Sequence, residues 1–179
     1  MKKGLPASSA YQAVPELSIP GDRPASRRLP SAVAKLVEGV ADVLDIGCNL
    51  GHFTRLAATG ARRRVVGVDK ETANLCSMIN LLLGRWQIDV VDAKLPPDAA
   101  ALPLQQYDII FCLSAVKYMG ENGIPWMASV APALWLEGHG GVPAEHYLPA
   151  LHRAYRNVQR LADTTDNKIR AQFLCTDPV

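Results

Sequence analysis

The 179-residue sequence lacks several features, and each absence argues against a class of protein. It has no Cys-x-x-Cys pair, because Cys48, Cys76, Cys112 and Cys175 stand far apart in the sequence. That spacing argues against a zinc site and against a disulfide framework, so we predict no metal and four separate thiols in a reducing cytoplasm. The formal net charge is only +2, which is too small to indicate a polyanionic partner by itself.

Long apolar runs are also missing. The lysines of "MKKGLPASSAYQ" are followed by no apolar segment, so we do not expect a secretory signal. The most apolar later stretch, "MASVAPALWL", is too short to cross a bilayer and is interrupted by Pro132. Hydrophobic residues make up 49% and charged residues 20%, as in ordinary globular proteins. These features predict one cytoplasmic domain without a membrane partner.

The first thirty residues differ from the rest of the chain. They contain five prolines and a basic cluster, "GDRPASRRLP", without a sustained period. We therefore predict an extended arm or lid at residues 1–30, followed by a domain at residues 31–179.

From residue 31 onward, helix-like segments alternate with short apolar segments. Ser31 is the predicted N-cap of the first helix, and Gly60 is the predicted stop of the second. This alternation predicts a mainly parallel sheet with helices on both faces, and ligands at the carboxyl ends of its strands. The predicted strands are "DVLDIG", "RRVVGVD", "WQIDVVD", "YDIIFCLS" and "ALWLEGH", and the predicted helices are "SAVAKLVEG", "HFTRLAATG", "KETANLCSMINLLLG", "ENGIPWMASVAP" and "PAEHYLPALHRAY". The final segment "NVQRLADTTDNKIRAQFLC" predicts an antiparallel hairpin.

Three acids end the first three predicted strands: Asp45, Asp69 and Asp92. A dinucleotide loop, G-x-G-x-x-G, would need glycines where this chain has Asn49 and His52, and the P-loop pattern fails as well. Carboxylates suit a ligand with cationic groups, ribose hydroxyls and an adenine amino group, such as S-adenosylmethionine. Each acid taken alone is also a common residue at the end of a strand.

The phrase "VLDIGCNLGHF…VVGVD…DVVDA…YDIIFCLS" resembles the class I S-adenosylmethionine-dependent methyltransferases. The resemblance covers residues 40–175 approximately, and its most specific part is the acid-x-Gly-x-x-x-Gly loop followed by a strand that ends in an acid. It implies a Rossmann-like α/β fold: a seven-stranded, mainly parallel sheet with an antiparallel C-terminal hairpin and helices on both faces.

The resemblance also implies a donor site for S-adenosylmethionine at the carboxyl ends of the strands. The methionine end would meet Asp45, Gly47 and Gly51, and the ribose hydroxyls would meet Asp69. The loop departs from the commonest form of the family at its second and third positions. The full implied set is Asp45, Gly47, Cys48, Asn49, Gly51, Phe53, Asp69, Lys70, Asp92 and Ala93, the last two at the adenine, with Ser114 near the donor.

Several acceptor classes are disfavoured by the segment after the fourth strand, "LSAVKYMG". It lacks the Asn/Asp-Pro-Pro-Tyr/Phe pattern of many DNA and glutamine methyltransferases, and it lacks a Pro-Cys nucleophile. No acid follows the strand directly, which disfavours the magnesium-dependent catechol type. We therefore predict O-methylation of a small polar or sugar-like molecule, with Lys117 and Tyr118 lining the acceptor pocket.

Two residues of the fifth predicted strand are candidates for catalysis. Glu137 and His139 are two positions apart, so in a strand they would share a face at the carboxyl end. An imidazole is the usual general base near neutral pH, and His52 is a second candidate. The alternatives are that His139 is a loop histidine or pairs structurally with Glu137.

Other acceptors and roles stay open. "GCNLGH" is also similar to RNA-cap and tRNA-modifying relatives, and a donor-binding subunit without activity of its own would keep the same loop. The arm brings Arg23, Arg27 and Arg28, with Tyr11 upstream, which would suit an anionic acceptor if the arm closes as a lid. A lid of this kind predicts that removing the arm lowers turnover but leaves donor binding largely intact. The sequence leaves the oligomeric state open.

Overall fold

The computed structural model describes residues 12–21, 28–59, 64–164 and 168–179. Within those ranges, none of the helices has the length and apolarity that crossing a membrane requires. The helices are α1 (Ser31–Gly39), α2 (His52–Ala57), α3 (Ala73–Leu82), α4 (Gly123–Val130) and α5 (Leu148–Ala154). The strands are β1 (Asp42–Ile46), β2 (Arg64–Val68), β3 (Ile88–Val91), β4 (Ile109–Leu113), β5 (Ala133–Glu137), β6 (Tyr155–Thr164) and β7 (Arg170–Pro178).

The seven strands form one sheet in the order β3-β2-β1-β4-β5-β7-β6. The first five are parallel, whereas β7 runs antiparallel to both β5 and β6. The prediction of a seven-stranded, mainly parallel sheet with a C-terminal hairpin is therefore confirmed.

The central strands β1, β4 and β5 are buried on both faces of the sheet, which explains why most of their residues are apolar. Successive residues of a strand point to opposite faces. In β1, Val43 packs with Phe53 of α2 on one face, and Leu44 packs with Met127 of α4 and Leu151 of α5 on the other.

The sheet order reverses between β1 and β4, which are neighbours although two strands separate them in sequence. Loops leaving such neighbouring strands turn to opposite faces, so a crevice opens at their carboxyl ends. We call the loops that follow β1 to β5 the rim. Two of the acids predicted at strand ends lie there, Asp69 and Asp92 directly after β2 and β3, whereas Asp45 lies within β1 just before its loop.

Residues 12–21 pack against the domain. Val14 is fully buried and contacts Leu50 and Ile79, and a short 3₁₀ helix follows at Pro15–Leu17. Leu17 and Ile19 lie against the same cluster. This segment is therefore part of the folded unit, while the boundary at residue 30 stays a prediction.

Some predicted boundaries change. Ser31 is the first residue of α1 and Pro30 occupies the cap position, so the N-cap prediction is wrong by one residue. The third helix begins at Ala73 because the three residues before it form a turn held by Asp69. The fifth strand ends at Glu137, so His139 lies in the following loop and not in the strand. The predicted stop at Gly60 lies outside the described residues.

Candidate functional site

The glycine loop after β1 has an unusual backbone. Gly47, Asn49 and Gly51 have φ angles of 73°, 51° and 77°, in the left-handed region that favours glycine and tolerates asparagine. A Cβ atom on Gly47 would lie 2.9 Å from Ala115 Cβ, and one on Gly51 would lie 2.6 Å from Cys76 Sγ. Both glycines are therefore required by conformation and by close packing.

The Asp69 carboxylate joins this loop to the turn after β2. Its Oδ2 accepts a hydrogen bond from Asn49 N (3.1 Å), and its Oδ1 accepts from Glu71 N and Thr72 N (both 2.9 Å). A carboxylate has about four lone-pair positions, so Oδ2 keeps capacity for one more donor. Asp69 can thus receive one ribose hydroxyl directly, whereas a bidentate contact would require it to give up a backbone hydrogen bond.

Asp45 is buried beneath the loop, with 2% of its surface exposed. Its Oδ2 accepts a 2.6 Å hydrogen bond from the Thr54 hydroxyl. Burial raises the pKa of Asp45 to about 6, although the Thr54 hydrogen bond and the charge of Arg28 oppose this shift. A cation that binds nearby would favour the ionised carboxylate.

Lys70 and Asp92, both in the implied donor set, meet at the rim after β2 and β3. The Lys70 ammonium lies 3.3 Å from Asp92 Oδ1, and both side chains are more than half exposed. Ala93, by contrast, is buried in the core. The structure therefore places an exposed ion pair where the adenine contact was predicted.

A buried polar cluster joins the ends of β4 and β5 to the N-terminal segment. Arg28 donates to both carboxylate oxygens of Glu137, at 2.9 and 3.1 Å. The Ser114 hydroxyl donates to Glu137 Oε1 at 2.6 Å, and Ser114 itself has a φ of 62°. Non-glycine residues in this region cluster at functional sites, and here the strain falls at the sheet reversal.

These contacts change the interpretation of Glu137. The carboxylate is fully buried and is held by Arg28 and Ser114, with Arg170 Nε 3.9 Å from Oε1. Glu137 and His139 do not share a strand face, because β5 ends at Glu137. The structure gives Glu137 a structural ion pair, and a catalytic role for it stays a prediction.

His139 is a half-buried loop residue near the end of β5. Its backbone N–H donates to the Tyr147 hydroxyl at 2.9 Å, and its ring contacts the Tyr118 ring edge-on with centroids 5.8 Å apart. Tyr118 is 64% exposed, and Lys117 Nζ lies 4.6 Å from the centre of its ring. The predicted acceptor residues Lys117 and Tyr118 therefore lie together with the candidate base.

His52 begins α2 on the other side of the glycine loop. Its backbone N–H donates to Gln12 Oε1 at 3.3 Å. Burial, and then the charge of Arg55, lower the pKa of the His52 imidazole, which keeps it neutral near pH 7. Neutral imidazole is the form that a general base needs, so His52 stays a second candidate.

Two predicted donor residues, Cys48 in the loop and Phe53 in α2, are buried. Phe53 is 1% exposed and packs edge-on against Trp135, with the Arg28 guanidinium 4.8 Å above its ring, so the structure gives it a packing role. A hydrogen bond with Cys76, and then burial, raise the pKa of the Cys48 thiol well above its ordinary value. All four cysteines are free thiols, as predicted, and two of them, Cys48 and Cys76, are hydrogen-bonding neighbours.

Sequence reasoning missed how the N-terminal segment supports the loop. Arg55 Nη1 donates to Leu50 O at 2.6 Å, and Arg55 Nε lies 3.3 Å from Glu16 Oε1. Val14 closes the apolar side of Leu50. The spacing of apolar residues in "AVPELSI" was the available signal for this contact. Tyr11, Arg23 and Arg27 of the predicted arm lie outside the described residues.

A groove of about 250 Å³ lies between α4 and α5. Glu121, Arg153 and Val179 contribute to its walls together with small apolar residues. No residue predicted for the donor or the catalytic site lines it, so the candidate site is the rim.

Comparison with known proteins gives a clear likeness at the level of structure only. No family model matches this chain, and no curated protein matches its sequence. WbdD, a bifunctional kinase–methyltransferase, superposes with a TM-score of 0.77 at 17% identity, over 97% of this chain and 46% of that one. The N-terminal domain of EvdMO1, crystallised with SAH and D-fucose, superposes at 0.67 with 11% identity, over 89% of this chain and 85% of that domain.

A third similar structure is the N-methyltransferase NodS of Bradyrhizobium japonicum WM9 in complex with S-adenosyl-L-homocysteine. It superposes with a TM-score of 0.65 at 16% identity, over 88% of this chain and 90% of that one. The chain spans less than half the length of WbdD. The comparisons show that it has the Rossmann-like fold of these methyltransferases, as the sequence resemblance implied.

Proposed function

We propose that this protein binds S-adenosylmethionine at the rim and transfers its methyl group to a hydroxyl of a small polar or sugar-like molecule. One observation carries the proposal: the Asp69 carboxylate ties the glycine loop to the end of β2 at the sheet reversal, beside the buried Asp45. Ligands of open α/β sheets bind at this point of the fold. The SAH bound in NodS and present with EvdMO1 supports the choice of donor.

The charges at the rim suit this donor better than a dinucleotide. Asp45 and Asp69 are two acids beside one loop, which would repel a pyrophosphate and attract a sulfonium or ammonium group. Oδ2 of Asp69 has room for one hydroxyl donor, as a ribose requires. The left-handed backbone at Gly47 and Gly51, and the close packing of Ala115 and Cys76 against them, fix the course of this loop at the end of β1.

When bound, the donor would supply an electrophilic methyl group on a positively charged sulfur. The chain's own part is to align the acceptor and to remove its proton. The His139 imidazole would take the hydroxyl proton as the acceptor oxygen receives the methyl group. The Tyr147 hydroxyl fixes the backbone of His139 for this role.

The surface beside His139 supports the acceptor class. Tyr118 presents an exposed ring and Lys117 an exposed ammonium, which together can hold the apolar face and the polar groups of a sugar-like molecule. The crystallisation of EvdMO1 with D-fucose is in keeping with an acceptor of this kind.

Calorimetry and a labelling experiment test the proposal. We expect S-adenosylmethionine and its demethylated product to bind and NAD to bind more weakly or not at all. With methyl-labelled donor and fractionated cell extract, label should enter small molecules. NAD binding tighter than either adenosyl ligand would overturn the donor assignment. Label in RNA would move the acceptor to RNA, and no transfer without an added partner would indicate a donor-binding subunit.

A further inference from the structure

The outer side of α3 carries an exposed apolar surface, which we call the α3 patch: Met78, Leu81, Leu82 and Trp86. These side chains are 59%, 55%, 72% and 74% exposed. The first three are spaced i, i+3 and i+4, so they lie on one face of the helix. Trp86 follows the left-handed Gly84 that ends the helix and precedes β3.

The opposite face of α3 is already used by the fold. Cys76 and Ile79 are buried, and Leu83 packs with Ile79 against Val14 of the N-terminal segment. The helix is therefore apolar on both sides, a pattern typical of helices that are covered all round. Single exposed apolar residues are ordinary, but a contiguous group of this kind marks an interaction surface.

The size of the α3 patch fits a contact between two copies of the chain. Its four side chains expose about 500 Å² of largely apolar surface, at the upper end for one patch on a monomer. A twofold contact would cover this area on each copy, about 1,000 Å² in total, which is the minimum expected of a biological interface and fits a weak dimer. Asn74 and Ser77 are exposed beside the patch and would supply a polar rim.

The charge of the helix also favours a second copy. From Ala73 to Leu82 the sequence "ANLCSMINLL" contains no charged residue, so two α3 helices related by a twofold axis would meet without like-charge repulsion. Arg85, between Leu82 and Trp86, is a half-buried base next to the patch. A membrane-surface helix would instead carry Lys or Arg on its polar face. The basic Lys70 nearby is paired with Asp92.

The position of the patch keeps it apart from the rim. α3 begins after the turn held by Asp69 and runs away from the rim, and Trp86 lies just before β3. Ile88, the first residue of β3, pairs with Val65 near the start of β2, at the opposite end of the sheet. In the described sheet β3 is an edge strand. A partner on this edge would leave the donor site open.

We propose that the α3 patch is the interface of a homodimer in which α3 packs against α3 of a second copy. The contact is isologous, because each patch faces itself across the twofold axis. Trp86 and Leu82, the most exposed members, form its centre. The inference does not depend on the proposed methyl transfer.

Sedimentation equilibrium of the full chain between 1 and 100 µM tests the dimer, with the protein at 19.4 kDa per copy. We expect the mass to rise with concentration towards twice that value. Leu82→Glu and Trp86→Ala should each raise the dissociation constant at least tenfold. Glutamate is as good a helix former as leucine, so the Leu82→Glu variant should keep its helix, and circular dichroism checks this.

Ile169→Glu is the matched control, because Ile169 is 70% exposed beside the β6–β7 hairpin. It should leave the dissociation constant unchanged. A monomer at 100 µM overturns the proposal, and so does a dimer that withstands both α3 substitutions or is equally weakened by the control. Pelleting of monomer with phosphatidylcholine–phosphatidylserine vesicles would assign the patch to a membrane instead. Donor affinity of Leu82→Glu should equal that of the wild type, which separates a failure here from a failure of the methyltransferase proposal.

Discussion

Arg28 and Glu137 form a buried, bidentate ion pair between the N-terminal segment and the end of β5. The guanidinium donates to both carboxylate oxygens at 2.9 and 3.1 Å, and the side chains are 2% and 0% exposed. The Ser114 hydroxyl donates to the same carboxylate at 2.6 Å. This pair therefore fixes residue 28 near the point where the sheet order reverses. Because both charges are buried, we expect it to matter more for the stability of the domain than an ion pair on the surface.

Removing one partner should be costly. Arg28→Ala leaves the Glu137 carboxylate buried with less compensation, so we expect the free energy of unfolding to fall by about 3 kcal/mol. Arg170, with its Nε 3.9 Å from Oε1, moderates the loss. Urea unfolding measures the change. Arg64→Ala, at an exposed pair with Asp89, is the control and should cost less than about 1 kcal/mol. Equal losses in the two variants would contradict a special role for the buried pair.

Asp45 should make stability depend on pH. Its pKa is raised to about 6 by burial, above the ordinary value of 3.8 in the unfolded chain. Its contribution to stability is therefore complete below about pH 4 and is lost as the pH rises through about 6, by about 3 kcal/mol in total. Urea unfolding of the wild type and of Asp45→Asn at pH 4, 5, 6 and 7 should show this: wild-type stability relative to the variant falls across that window. A constant difference would show that Asp45 is not shifted.

The same carboxylate should distinguish the donor, with its sulfonium charge, from the product, which has a neutral thioether in that place. A sulfonium near Asp45 favours the ionised form, whereas the thioether of the product does not. The ratio of donor affinity to product affinity should therefore rise between pH 5 and 7 in the wild type. Asp45→Asn should flatten the ratio. Calorimetry at several pH values measures both, and a rising ratio in the variant would assign the effect to another group.

Much of the sheet was predictable because its signals are local. Each of the first three strands is a short apolar run that ends near an acid, and Asp45 and Asp69 follow from that pattern together with Gly47 and Gly51. The observed ends of the elements differ from the predicted ones where a side chain binds the backbone. One example is the turn before α3, in which the Asp69 carboxylate accepts a backbone hydrogen bond from Thr72.

The features that the sequence did not predict depend on contacts between distant parts of the chain. Arg28 and Glu137 are 109 residues apart, and nothing in either local sequence indicates the partner. Val14 becomes a core residue only because Leu50 and Ile79 come together beneath it. The catalytic prediction for Glu137 weakened for the same reason, since its buried partner lies in a segment expected to be an arm.

Asp69 should matter for both the donor and the loop. Asp69→Ala removes the acceptor for Asn49 N and Thr72 N, so we expect stability to fall by about 1–3 kcal/mol. Donor affinity should fall by about 1.5–3 kcal/mol through the lost ribose contact. Asp108→Ala is the control, because Asp108 also accepts two backbone hydrogen bonds, from Ala41 and Asp42, at the far end of the sheet. It should alter stability but leave donor affinity unchanged. A similar loss of affinity in both variants would exclude a specific ribose contact.

Removing residues 1–21 should weaken donor binding, contrary to the expectation for a simple lid. Gln12 contacts the first residue of α2, Val14 supports Leu50, and Glu16 pairs with Arg55. Without these contacts the glycine loop is less well held in place. We therefore expect the dissociation constant of the donor to rise about tenfold or more, equivalent to about 1.4 kcal/mol. Calorimetry on the truncated chain, after circular dichroism shows it to be folded, measures this. Unchanged affinity would restore the interpretation of an independent arm.

The assignment of the base is tested at His139. Its ring lies against the exposed Tyr118, and its backbone is held by the Tyr147 hydroxyl, so it is fixed beside the proposed acceptor surface. A positioned general base contributes about 10²–10⁴-fold to rate, so His139→Ala should lower turnover by that factor while donor affinity stays nearly the same. His139→Gln should restore little, because an amide does not accept the proton. Tyr147→Phe removes only the backbone anchor and should cost far less. If His52→Ala loses the rate and His139→Ala keeps it, the proton is taken by His52, whose lowered pKa already keeps it neutral.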